Sequence, residues 1–336
     1  MKKVLLGHGS GGELSHNLIS DLFIKYFKNP ILEAQTDSAL LEISSKNISF
    51  TTDSYVVDPI FFKGGNIGKL AICGTVNDLA VSGATPKYIS CSFIIEEGFS
   101  MTELETIVKT MADEAKKAEI QIVTGDTKVV NKGKCDKIFI NTSGIGILDA
   151  KHKEISSGKN IAIGDKILIN GDIADHGMTI MAARDFENFT TNISTDSACL
   201  NHLIHELLEA NIGIKFMRDA TRGGVATVLC ELAKNANIGL EIDEENIPVN
   251  ESVKGLCEVF GFDPLYVANE GKVIIVVDKK DSEKAIKIMQ QNEFGKNSAI
   301  IGEITESNRG KAWLKTEIGG KRIIDMLAGE QLPRIC

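Results

Sequence analysis

The stretch that most limits what this chain can become is "IGKLAICGTVNDLAVS", residues 67–82. It is rich in small and apolar residues at helical length, with the pair Asn77-Asp78 set inside it. A charged side chain inside an apolar helix is costly without a partner, which draws Asp78 towards function. Strands are predicted around this helix in "NISFTTDSYVV", "KYISCSFIIEEG", "IQIVTGDTKVV" and "KIFINTSGIGIL", with a more polar helix near 101–118. An amphipathic helix near 13–28 comes first, with Leu14, Leu18 and Leu22, and Ile19, Phe23 and Tyr26, at helical spacing. The first half therefore reads as α plus β, closing near Leu148.

A polar, Gly-punctuated stretch over 149–165 reads as a linker. Beyond it the strand "KILING" leads to helices near 177–184, 197–211, 223–236, 251–260 and 281–291, with strands "KVIIVVD" and "SAIIGEIT". The expected organisation is a Gly-rich loop and helix (1–42), an N-terminal domain (43–150), a C-terminal α+β domain (160–305) and a docking segment with a mobile tail (306–336). A length of 336 residues suits two domains. The net charge of −9 argues against nucleic acid or an anionic membrane as partner for the surface as a whole. The apolar run in "MKKVLLGHGSGG" is too short for a secretory signal, and no stretch approaches the ~20 apolar residues of a membrane span. Seven cysteines without CxxC spacing argue against a disulfide framework or zinc knuckle. The expected compartment is a reducing cytoplasm, where Cys336 persists as a thiol.

Several motifs carry possible chemistry. "GHGSGG" fits the glycine pattern of a dinucleotide site, but Glu13 would repel pyrophosphate at the helix start. A glycine loop over another anionic ligand and a plain turn are the alternatives, the first using backbone N–H groups from Gly9 to Gly12. Asp37, Asp53, Asp78 and Asp126 each sit at a strand end or among small residues. Converging carboxylates need a cation, and Mg²⁺ takes such ligands together with phosphate oxygens; singly, each suits a cap or turn. "MRDATRGG" sets Arg218, Asp219 and Arg222 before a helix start, either as an anion site or as solvated side chains. His176 beside Gly177 reads as structural or as an acid–base group. Glu270 in "VANEGK", just before an apolar strand, is a candidate base with a raised pKa. Cys336 is the last residue of "QLPRIC", and the prenylation pattern does not fit it.

Taken together, "GGNIGKLAICGTVNDLAVSGATP", "GDTKVV", "GDIADHGMTIM", "MRDATRGG" and "ANEGK" resemble the ATP-binding superfamily of aminoimidazole ribonucleotide synthetase and selenophosphate synthetase. Within it, "GHGSGG" and "PRIC" resemble the HypE family of hydrogenase-maturation carbamoyl dehydratases. The resemblance runs from Gly7 to Cys336 and implies a two-domain PurM-like fold, α/β plus α+β, with a dimerising ATP-binding N-terminal domain. It implies ATP with Mg²⁺ as cofactors and nucleotide contacts at Gly9, Ser10, Gly11, Gly12, Asp53, Asn77, Asp78, Asp126, Thr127 and Lys128. Metal ligation is implied at Asp37, Asp53, Asp78 and Asp126. The implied partners are a second copy of the chain, the carbamoyltransferase HypF and a HypC–HypD scaffold that accepts cyanide.

The implied reaction starts from a carbamoyl group on the Cys336 sulfur, whose oxygen ATP phosphorylates so that it leaves as phosphate and S–C≡N remains. Glu270 is the first choice of base and His176 the second, Lys128 neutralises charge on the phosphoryl group, and Arg218 and Arg222 orient it. A tail can carry one sulfur between donor, ATP cleft and acceptor. The neighbouring α-carboxylate is expected to raise the thiol pKa above its usual ~8.5. Rival readings are another synthetase of the superfamily, for which Cys336 would be dispensable, and a non-catalytic nucleotide-binding scaffold.

Overall fold

The computed structural model describes residues 3–10, 12–34, 38–185, 192–327, 329 and 332–336. Gly11 and Asp37, both expected at the site, lie outside the described residues. The N-terminal sheet has four strands: β1 (Ile48–Tyr55), β2 (Ala84–Glu96), β3 (Gln121–Val130) and β4 (Ile138–Leu148), in the order β1-β4-β2-β3. The β2–β3 pair is parallel and the others antiparallel. Helices α1 (Ile67–Val81) and α2 (Met101–Lys117) cover one face.

Local sequence explains these bounds. The Asn66 side chain accepts from the N–H groups of Gly68 and Lys69, capping α1, and Ser100 caps α2. Helix α1 is buried on nearly every side because the N-terminal sheet lies on one flank and the second half of the chain on another. Its small residues permit that approach: a Cβ on Gly68 would stand 2.7 Å from the Ile107 carbonyl oxygen, and one on Gly74 would stand 2.3 Å from the Tyr55 hydroxyl. Along β1, Ser49, Thr51, Asp53 and Tyr55 alternate inward, leaving Ile48 and Phe50 exposed on the opposite face with Ile94 of β2.

The second half builds a seven-stranded sheet. Its strands are β5 (Lys166–Ile169), β6 (Ile214–Asp219), β7 (Gly239–Asp243), β8 (Val273–Val277), β9 (Ala299–Thr305), β10 (Ala312–Lys315) and β11 (Lys321–Ile324), ordered β11-β10-β7-β9-β5-β8-β6. Helices α3 (Asp175–Asp185), α4 (Asn201–Glu209), α5 (Gly224–Ala236), α6 (Glu251–Phe260) and α7 (Ser282–Gln291) complete an α+β unit. Two expectations need correction here. The segment beginning at 306 is not merely a docking tail, since β10 and β11 add to the sheet. The strand β6 in "IKFMRD" was not anticipated either, because its apolar and charged residues follow no clean alternation.

One side chain pins the two halves together. The Asn77 amide donates to the Ala198 carbonyl at 2.9 Å and accepts from Leu200 N–H at 2.8 Å, fully buried. The core is continuous across this seam, where Ala80 and Val81 pack with Leu200, Leu203 and Ile204.

Candidate active site

The last residues of the chain run into the seam. Val56 N–H donates to the Cys336 carbonyl at 3.0 Å and Asp58 N–H to the Arg334 carbonyl at 3.2 Å, an antiparallel ladder. Arg334 reaches back to the Val56 carbonyl (2.9 Å) and pairs with Asp136 (2.6 Å) beside the Phe139 ring. Arg184 donates to the carbonyls of both Asp58 and Arg334. Arg334 adopts φ +52°, a left-handed conformation that costs roughly 1–2 kcal/mol for a side chain with a Cβ, and these bonds offset it. Ile335 and Leu332 are buried. The tail expected to be mobile is therefore docked inward here.

His176 completes the dock. It is fully buried, its Nε2 lies 2.8 Å from the Ile335 carbonyl and its Nδ1 lies 2.8 Å from the Thr195 hydroxyl. Burial holds its pKa below the usual imidazole range, so the neutral ring donates from Nε2 to the carbonyl and accepts from Thr195. Both nitrogens are committed, which corrects the expectation of His176 as a second candidate base. The ring holds the tail.

At the inner end, the Cys336 thiol lies in the field of Glu270, Arg222 and Asp53. Burial, then Glu270, pushes it up to about 12, with Arg222 opposing. The α-carboxylate was expected to be the cause; burial outweighs it. Glu270 is 3% exposed, and its Oε1 has no hydrogen-bond partner among the described residues. Burial, with Asp196 and Asp219 next, raises its pKa well above the carboxylate range. Arg222 makes no ion pair among the described residues, whereas Arg218 is spent on Glu231 at 2.6 Å.

Of the three described aspartates, Asp126 does not join Asp53 and Asp78 within the chain. Asp78 accepts from Thr51 Oγ1 at 2.6 Å and lies in the field of Asp219 and Asp53. Burial and Asp219 raise Asp78 to about 7, while burial, with a further push from Asp53, raises Asp219 to about 6. Asp126 stands at the far edge of the sheet and on its other face. In the parallel pairing Asp126 sits opposite Ser92 and Lys128 opposite Ile94, whose side chain is exposed, whereas Asp53 points inward to α1. Three strand spacings, about 14 Å, separate the edges. Asp126 instead pairs with Lys128 at 2.9 Å, which holds its carboxyl below the usual range.

Asp126, Thr127, Lys128 and Gly9 border a separate cavity of about 360 Å³ between the N-terminal helix and β3. Gly9 packs so tightly on β3 that a Cβ would stand 2.3 Å from Val129 N, while Ser10 turns to the Gly7 carbonyl. "LGHG" forms a short 3₁₀ turn, and Gly12 is the N-cap of the first helix. Asn77, expected at the nucleotide, has its amide committed to the seam.

Family models for the AIR synthase related protein match both halves, the N-terminal domain model over residues 35–148 and the C-terminal domain model over 162–315. The carbamoyl dehydratase HypE of Rhodobacter capsulatus is 45% identical across 100% of this chain and 98% of its own length. That of Escherichia coli K12 is 45% identical with both chains fully covered. The chain belongs to the HypE family of carbamoyl dehydratases. A solved HypE hydrogenase maturation protein in complex with ATP superposes with a TM-score of 0.95 at 45% identity, covering 99% of each chain. A HypE–HypF complex matches at 0.79 and 49% identity over 92% of this chain and 99% of that one. A thiamine monophosphate kinase-type structure, AaThiL with AMPPCP and TMP, is 18% identical with a TM-score of 0.62 over 94% of this chain and 96% of that one, and shares the fold.

In this HypE-family chain Asp53, Asp78 and Asp219 lie in one another's field and offer the carboxylate oxygens a hard divalent cation takes, although as they stand their oxygens do not all lie within 4.8 Å of one another. Sequence reasoning named Asp219 only beside its arginines. Its signal was its place at the end of β6, next to α1. Among the described residues the one group of three potential ligands within 4.8 Å of one another is the buried set Cys73, Glu114 and Cys199. Glu114 is already paired with Lys117 and the sulfurs touch at 3.3 Å, so packing and a thiol hydrogen bond account for it.

Proposed function

We propose that this chain dehydrates an S-carbamoyl group on Cys336 to a thiocyanate, consuming ATP, and so supplies cyanide for the iron of nickel–iron hydrogenase. The observation that carries this reading is the docked tail, which brings the Cys336 sulfur into the field of Arg222 and of Glu270, whose buried Oε1 has no hydrogen-bond partner among the described residues. The ATP-bound relative supports the nucleotide as co-substrate. The HypE–HypF complex supports HypF as the donor that carbamoylates the thiol. A HypC–HypD complex as acceptor and a cytoplasmic setting extend the same reading.

The residues divide the work as follows. Arg222 orients the carbamoyl oxygen, which attacks the γ-phosphorus of ATP and releases ADP. One N–H proton leaves nitrogen as the C=N bond forms. The second leaves as the C–O bond breaks, giving S–C≡N and phosphate. Glu270 takes these protons: burial and Asp196 lead in raising its pKa, Asp219 and Asp53 add to them, and a positive charge at those two aspartates would lower it. Asp53, Asp78 and Asp219 would hold Mg²⁺, which would supply positive charge beside the phosphoryl group. His176, Arg184 and Arg334 exclude water by holding the tail in place.

Lys128, Asp126 and the Gly9 turn cannot reach this pocket within one chain. We infer a homodimer packed through the open sheet face, where Ile48, Phe50 and Ile94 are exposed, with the second copy bringing Lys128 to the phosphates.

The test is the intact mass of carbamoylated protein before and after Mg·ATP. One water is lost, and the change maps to the last peptide. Cys336→Ala gives no product, while a synthetase acting on a small substrate would keep turnover and sink this reading. Glu270→Gln slows conversion roughly 10²–10⁴-fold and leaves carbamoylated protein accumulating.

A further inference from the structure

The segment 194–200 has no regular secondary structure, yet it touches each moving part of the pocket. Thr195 N–H donates to the Lys63 carbonyl at 3.0 Å. Its hydroxyl donates to His176 Nδ1 and accepts from Ser197 N–H at 3.1 Å, and His176 in turn holds the Ile335 carbonyl. The next residue, Asp196, accepts from Glu270 N–H at 3.1 Å and from Gly271 N–H at 3.2 Å, and it pairs with Lys272 Nζ at 3.0 Å. Both side chains of that ion pair are buried, at 2% and 11% exposure. The two segments approach so closely that a Cβ on Gly271 would stand 2.0 Å from the Asp196 carbonyl oxygen.

We propose that Thr195 and Asp196 form one positioning unit that sets the sulfur-bearing tail and the Glu270 carboxyl in a common frame. Thr195 acts on the tail through His176, and Asp196 with Lys272 acts on the main chain of residues 270–272. The proposal rests on the roles given above to Cys336 and Glu270. Neither residue touches the reacting atoms.

Stability alone is a poor account of the pair. A buried ion pair loses hydration that its attraction scarcely returns, and an apolar pair of like volume is often as stable. What Asp196 supplies is direction: two carboxylate oxygens receive two successive N–H groups and an ammonium, which stops the loop carrying Glu270 from turning. A displacement of about 1 Å in a group of this kind costs on the order of 10²-fold in rate. Because the two contacts come from adjacent residues, motion of the segment would disturb tail and base together.

The experiment uses full-length carbamoylated protein at saturating Mg·ATP in single turnover, with the alkylation rate of unmodified Cys336 by N-ethylmaleimide as a second readout. Asp196→Asn slows conversion about 10²-fold and leaves both Cys336 alkylation and thermal protection by Mg·ATP at wild-type values. The double variant Asp196→Asn, Lys272→Met leaves no buried ammonium unpaired and behaves alike, which covers the case where the single variant fails to fold. Thr195→Val raises the alkylation rate about fivefold, the worth of one hydrogen bond, and slows conversion; Thr195→Ser reverses both. Conversion by the double variant within about threefold of wild type, on the scale of a near-neutral surface change, overturns the proposal. So does Asp196→Asn exposing Cys336 as Thr195→Val does, which would mark a merely structural segment. If the wild-type protein itself loses no water, the roles of Cys336 and Glu270 fail, and this outcome is distinct from either.

Discussion

Asp78 and Asp126 occupy similar-looking phrases, each a carboxylate among small residues near a strand or helix end, yet their surroundings are opposite. Asp78 shares a half-buried corner with Asp53 and Asp219, no cation among the described residues joins them, and burial with this repulsion lifts it to about 7. Asp126 lies exposed beside Lys128, which holds its proton affinity down. The first corner stores unbalanced negative charge that a ligand from outside relieves. The second is already balanced and offers a local pair to something that approaches the open face. Burial and neighbours, more than residue type, decide which acid is poised for a metal.

The largest effect should separate the two directly. Asp78→Asn removes a ligand from the unbalanced corner and should cut Mg·ATP-dependent conversion by roughly 10²–10³-fold, with loss of Mg²⁺-dependent thermal protection. Asp126→Asn should leave that Mg²⁺ effect in place, and the reverse pattern in melting curves would invert the comparison.

Mixing Asp78→Asn with Lys128→Ala, which is inactive alone if Lys128 serves the phosphates, sharpens it further. If paired copies share sites, random exchange restores about a quarter of the wild-type activity, because half of the dimers hold one intact site of two. No recovery after subunit exchange, checked by native mass spectrometry, would place both sets within one chain's function.

A smaller effect concerns pH. The folded-state values of Asp78 and Asp219, about 7 and about 6, lie above the ordinary 3.8, so the folded protein binds these protons more tightly than the unfolded chain. Their contribution to stability is present below the ordinary value and is lost as pH rises through about 7. Mg²⁺ should therefore raise the melting temperature more at pH 8 than at pH 5, where protons compete for the same oxygens. Equal shifts at both, in wild type, would remove the corner as the cation site. Asp126 has the opposite sign, its small contribution being lost as pH falls, and solvent screens it.

The smallest expected change is at the tail's anchor. Arg334→Ala should raise Cys336 alkylation only severalfold, since the Asp136 pair is partly exposed. A change larger than that from Thr195→Val would move the main anchor from His176 to Arg334.

Much of the first half was legible because its signals are local. The helix over 67–82 announced itself by length and composition, and strands 48–55 and 138–148 by alternation. Asp78 stood out as a charge in an apolar helix. The expected meeting of Asp126 with Asp53 failed because face and strand order decide it, and neither is written in any one segment. Asp196 and Lys272 were invisible for the same reason: only the fold brings "STDSAC" under Glu270. Asn77 was read as a ligand because it adjoins Asp78, although successive helix positions point about 100° apart. His176, read as structural or as second choice of base, could not be decided from sequence, which gives no hint that both nitrogens are taken.

Helix α1, with Leu70, Ile72, Val76 and Leu79 wholly out of water and partners on nearly every side, leaves no flank that either half could spare. Severing the chain between its halves would strip one wall from that rod and bare a greasy stripe. Dissected pieces should clump on expression, and dyes or tags for following the tail belong on other parts of the molecule.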